Sequence, residues 1–277
     1  MTARKPRPAM AMVMALAVLS VAGCSLLGPR AAPSEPFGDF SLGEFGGIDG
    51  RQNIVYVRAD GVALLVSRMP AAGELSDQDL SRLKTLLTSR QFRQEVKGEV
   101  ERKAKSPAPV CADQITTEVT MGSLWMSRTA PCGTEAAPAP AFDEIVSILT
   151  PAMQGNFNGP VHTTEPQLLP VRLERLQLQD QPAYTITISA AGRAMITIAG
   201  RRSESHDLSI QQRDTVRLLL ARLIETPVVP CTAVAHYQLH IDTNNSGPKI
   251  SGPDCGFPQR QPEFRALTVL LENAFGV

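Results

Sequence analysis

The chain has 277 residues, with 27 basic and 27 acidic side chains and a formal net charge of zero. Charged residues make up 19% and hydrophobic residues 43%, a balance that excludes a mainly disordered chain. The absence of a basic excess argues against nucleic acid as a partner, and an aromatic content of 5% leaves few platforms for stacking on bases.

Arg4, Lys5 and Arg7 form a basic head, followed by an apolar run from Met10 to Val21 that only Ser20 interrupts. That run is too short for a stable membrane span and has the length of a signal-peptide core. It ends in Val21-Ala22-Gly23-Cys24, which resembles the bacterial lipobox. The resemblance implies cleavage before Cys24, acylation (palmitate among the acyl groups) of Cys24, and an extracytoplasmic, membrane-anchored protein. The Ala, Pro and Arg bias resembles that of GC-rich actinobacterial proteins. Removing residues 1–23 takes away three basic side chains and leaves a net charge of about −3. Attachment then depends on lipid and not on a basic surface. Residues 24–50, with Pro29, Pro33 and Pro36 and a glycine-rich end around Phe40 and Phe45, read as a tether.

Two copies of one plan follow, over residues 51–153 and 172–277, with a linker at 154–171. In the first copy, strands Ile54–Ala59 and Val62–Ser67 flank a turn at Asp60-Gly61. In the second, Tyr184–Ser189 and Arg193–Ile198 flank Ala191-Gly192. A helix opens after each hairpin at Ser76 and at Ser209, where a polar residue three positions on can complete a capping box. Leu83, Leu86 and Leu87 form the apolar stripe of the first helix. Val216, Leu219, Leu220, Leu223 and Ile224 form that of the second. The charged stretch Lys97–Lys103 occurs only in the first copy and reads as a helix extension or a solvated loop. Each copy then runs through a Cys, a strand (Ile115–Met121 or Tyr237–Thr243), a Cys-Gly pair and a helix, starting at Phe142 or Phe264. A further strand, Leu173–Leu178, leads the second copy. The expected fold class is α+β, two tandem small antiparallel sheets packed by helices, with one disulfide per copy.

With Cys24 assigned to lipid, four cysteines allow three pairings. The duplication selects Cys111 with Cys132 and Cys231 with Cys255, which an oxidising compartment permits. Separations of 21 and 24 residues do not match a Cys-x-x-Cys redox pair. His236, His240 and Asp242 share one face of a strand, but His236 and His240 lie about 13 Å apart along it. The solvated face of a strand is the better reading, and neither a metal nor a cofactor is expected. His206-Asp207 has no counterpart in the first copy, and the elbow, phosphate-loop and zinc-protease motifs are absent from the sequence. An enzyme is therefore not expected. The candidate binding loop is Leu124-Trp125-Met126, which holds the only Trp near a hairpin turn.

The order strand, Gly turn, strand, Ser-capped helix, strand, return and short helix resembles that of emfourin-like inhibitors of secreted metalloproteases. This resemblance implies protease inhibition as the alternative to a non-catalytic binding or structural role in the envelope. Either role implies the membrane as one partner and an envelope or secreted protein as another.

Overall fold

The computed structural model describes residues 36–47, 50–105, 113–129, 137–161, 168–176, 183–199, 201, 203–225, 228–230, 235–242, 250–256 and 261–277. Residues 1–35 lie outside them, so the leader, Cys24, Pro29 and Pro33 do too.

The first repeat comprises β1 (Phe40–Gly46), β2 (Arg51–Val57), β3 (Val62–Val66), β4 (Ala71–Glu74), α1 (Asp77–Leu87), α2 (Arg90–Lys105), β5 (Ile115–Met121), β6 (Leu124–Thr129) and α3 (Pro140–Met153). The second comprises β7 (Val171–Arg175), β8 (Tyr184–Ile188), β9 (Arg193–Ile198), β10 (Glu204–Asp207), α4 (Ile210–Ile224), β11 (Tyr237–Ile241), β12 (Ile250–Pro253) and α5 (Gln261–Phe275). The fold is α+β, with two six-stranded sheets in the orders β4-β3-β2-β1-β5-β6 and β10-β9-β8-β7-β11-β12. All neighbouring strands are antiparallel. The repeats therefore share one topology, with α2 as an insertion in the first.

Local chemistry is conserved between the repeats to the level of single hydrogen bonds. Gly61 and Gly192 both sit at positive φ, 97° and 83°, which a side chain disfavours. Each closes a three-residue hairpin loop by donating to Arg58 or to Ser189, at 3.0 and 2.9 Å. Their carbonyls then accept the N–H of Leu75 and Leu208, both at 3.0 Å, just before the helix cap. Ser209 completes its capping box, because the Gln212 side chain reaches back to the Ser209 N–H at 2.9 Å. Ser76 makes only half of one. The shorter Asp79 side chain accepts from the Ser76 hydroxyl at 2.7 Å instead of reaching the backbone.

Two sequence expectations change. Phe40–Gly46, read as tether, is β1, the strand that joins β2 to β5 in the first sheet. Its glycines hide the strand pattern, yet Gly43 has a packing role: a Cβ there would meet the Phe45 ring at 2.4 Å. The inserted charged stretch Lys97–Lys103 is helical but lies in a helix of its own, α2, separated from α1 by Thr88 and Ser89. Glu95 on α2 accepts the N–H groups of Ala141 and Phe142, both at 3.0 Å, at the start of α3. It replaces the side-chain cap that Ala139 cannot supply.

The layers follow from which face of each strand is apolar. Val55, Val57, Ala63 and Leu65 pack with Leu83, Leu87, Ile145 and Leu149 from the helices of their own repeat. Ile54, Tyr56, Val62, Leu64 and Val66 face the other way and join the core of the second repeat. Helix α5 contacts β1, β2, β3 and β5, while α4 contacts α5 and β4. The helical layer of the second repeat therefore lies between the two sheets, and the described residues form one compact unit. Ten of the fifteen residues of α5 are buried, in keeping with its unbroken run Ala266-Leu267-Thr268-Val269-Leu270-Leu271.

The second sheet keeps one face open. In the shared register, Ile54, Tyr56, Val62, Leu64 and Val66 correspond to Thr185, Thr187, Arg193, Met195 and Thr197. The first set is buried and the second is half-buried or exposed. This is why β3 reads Val-Ala-Leu-Leu-Val without a break, while β9 alternates.

Candidate binding cleft between the repeats

Three in-register residues cross the second sheet: Tyr184 on β8, Arg175 on β7 and Tyr237 on β11. Their row meets Glu272 near the end of α5. Both phenols donate to the same carboxylate oxygen, Glu272 Oε1, Tyr237 at 2.8 Å and Tyr184 in a short contact. Burial, and then the Glu272 charge, push both phenols well above the ordinary tyrosine range. Arg175 stacks on the Tyr184 ring, 5.5 Å from its centroid.

A cleft of about 540 Å³ opens beside this cluster. Phe45 and Gln52, paired across β1 and β2, contribute one wall from the first repeat. Tyr237, Phe264, Thr268, Val269 and Glu272 contribute the other, with His236, Asp254, Gln261 and Arg265 at the polar margin. Arg265 lies over the Phe45 ring at 4.3 Å and forms an ion pair with Glu118, tying α5 to β1 and β5. Asp254 accepts the His236 backbone N–H on both oxygens, at 3.3 and 3.2 Å. The Gln261 amide donates to the Asp254 carbonyl at 2.7 Å. The recess thus combines aromatic walls, a fixed carboxylate and amide groups, a combination suited to holding one end of a ligand.

Of the residues singled out in the sequence, His236 lines the cleft, and the candidate loop lies elsewhere. Trp125 is 45% exposed on β6, just after the Gly122-Ser123 turn, with Lys103 5.3 Å from the centre of its ring. Leu124 is half-buried. Met126, the third residue of that loop, points to the opposite face of β6, is 2% exposed and belongs to the first core. His240 shares a hydrogen bond with the Ser251 hydroxyl on the open face of the second sheet, and His206 packs on Phe275. Among the described residues, no three His, Cys, Asp or Glu side chains are grouped to hold a metal ion. Cys111, Cys132 and Cys231 lie outside the described residues, and Cys255 lies in a 3₁₀ turn at Asp254–Gly256.

Sequence reasoning missed the cleft because it is assembled from β1, taken as tether, and from α5 across the repeats. One signal was present: Glu272 follows directly on the apolar run of α5, where a carboxylate has to find donors. No family model matches the chain, and no curated protein matches it.

Proposed function

We propose that this protein is a lipid-anchored, extracytoplasmic binding protein without catalytic activity, and that the cleft between its repeats is its ligand site. The observation that carries the binding role is the cleft itself, lined by both repeats and backed by a buried carboxylate. The Val21-Ala22-Gly23-Cys24 sequence after an apolar run supports the anchor. Disulfides Cys111–Cys132 and Cys231–Cys255 would close segments following α2 and α4, each contributing roughly 3 kcal/mol through the unfolded chain. The anchor is tested by metabolic labelling with an alkyne fatty acid. The full chain should carry label and sediment with membranes, and Cys24→Ala should lose both; label retained by the variant contradicts the assignment.

The alternative, inhibition of a secreted protease, is favoured by one observation: Trp125 stands half-exposed beside a hairpin turn, with Lys103 over its ring. Under that reading, Trp125→Ala abolishes inhibition, so that the protease's substrates lose their protection, while leaving the melting temperature unchanged. Protection unaffected by the substitution removes the Trp125 loop from the account.

A further inference from the structure

Glu272 is 7% exposed, and both of its hydrogen bonds from described residues arrive at one oxygen, Oε1. Its second oxygen accepts none from a described residue, although the side chain lines the cleft. A carboxylate this buried is costly unless its charge is matched, and two neutral phenols stabilise it without neutralising it. The nearby cations are engaged: Arg265 pairs with Glu118, and Arg175 stacks on Tyr184 and forms no ion pair with Glu272. Asp254 adds a second carboxylate to the lining. The same lining holds the rings of Tyr237 and Phe264, with centroids 6.5 Å apart, whose faces attract cations and whose edges accommodate a methylene chain.

We infer that the cleft takes a single organic cation, the alkylammonium or guanidinium group of a basic side chain, with Glu272 Oε2 as its acceptor and the aromatic rings around its stem. A volume of about 540 Å³ accommodates such a group with part of the backbone that carries it. This inference rests on the reading of the cleft as a ligand site.

The test is titration of the full chain in detergent with acetyl-lysinamide, acetyl-argininamide, 1,4-diaminobutane, acetyl-glutaminamide and acetyl-glutamate amide, followed by backbone amide shifts. Basic probes should saturate shifts at Thr268, Val269 and Gln261, and glutaminamide should not. Binding of the amino-acid amides marks a peptide side chain as the source, and binding of diaminobutane alone marks a free amine. Glu272→Gln keeps an acceptor for both tyrosines and should weaken binding at least about tenfold. Gln52→Lys, which adds a positive charge to the opposite wall, should do the same, and it serves if the first variant fails to fold. Saturation by acetyl-glutamate amide alone would overturn the charge assignment while keeping the cleft as a site. Silence with every probe would overturn both, and unchanged affinity in the variants would overturn the role of Glu272.

Discussion

Arg222 on α4 donates to Asp39, which immediately precedes β1, through Nε at 3.0 Å and Nη2 at 2.9 Å, both to Oδ2. The pair joins the repeats across 183 residues of sequence, and the Asp39 side chain is almost wholly buried. Tyr56 adds its hydroxyl to the same oxygen at 2.9 Å and lies 3.2 Å from Glu263 of α5, while the Ala59 N–H takes the other Asp39 oxygen at 2.8 Å. Asp39 is therefore the point at which β1, β2, α4 and α5 are fastened together.

Removing Arg222 takes two charge-assisted hydrogen bonds from the buried Asp39 carboxylate. Arg222→Ala should cost about 3 kcal/mol, read from urea unfolding, whereas Arg217→Ala, whose ion-pair partner Asp214 is exposed, should cost less than about 1 kcal/mol. Equal losses would show that the inter-repeat pair has no special weight.

Acid should act through the same group. Burial pushes the Asp39 carboxyl upward, but the Ala59 N–H, Arg222, Glu263 and Tyr56 together outweigh it and hold it below the ordinary value of 3.8. A depressed carboxyl stabilises the fold fully above that value, and the contribution is lost as pH falls through the lower folded value. The melting temperature of the wild type should therefore fall below about pH 4, and Asp39→Asn should flatten that part of the profile. An unchanged acid limb in the variant would contradict the assignment.

Every tyrosine of the chain, Tyr56, Tyr184 and Tyr237, donates to a carboxylate. All three are raised above 10, Tyr56 by burial first and then by Glu263 and Asp39. A raised phenol leaves stability intact below the unfolded value near 10 and removes it as pH rises beyond. Absorbance at the phenolate band should stay flat through pH 10 and then rise together with loss of circular dichroism. A separate phenolate step in folded protein would contradict the three contacts.

The two sheets should respond differently to the same change. Leu64→Ala empties a buried site between the sheets and should cost about 3 kcal/mol. Met195→Ala, at the equivalent register position on the open face, should stay within about 0.5 kcal/mol. Comparable costs would mean that the outer face of the second sheet is covered.

Much of this fold was legible residue by residue. The glycine turns, the serine caps and the strand-to-helix order are local, and the structure repeats them in both halves. The stacking was not read, because it depends on which face of each strand is apolar across both copies at once. The break in alternation at Val62–Val66, set against Arg193–Ile198, carries that information. β1 escaped notice because glycines 43 and 46 interrupt it, and the cleft depends on β1. The exposed Trp125 was legible as a distinctive residue, but the face taken by Met126 depends on where β6 begins.

Trp125 offers the most direct test that the repeats behave as one body, since the only Trp in the chain reports on the first repeat alone. Leu239 is buried in β11, within the core of the second repeat. Leu239→Ala should lower stability by about 3 kcal/mol and shift the Trp125 fluorescence midpoint in urea together with circular dichroism. A Trp125 transition that keeps its wild-type midpoint while circular dichroism splits into two steps would contradict the shared core.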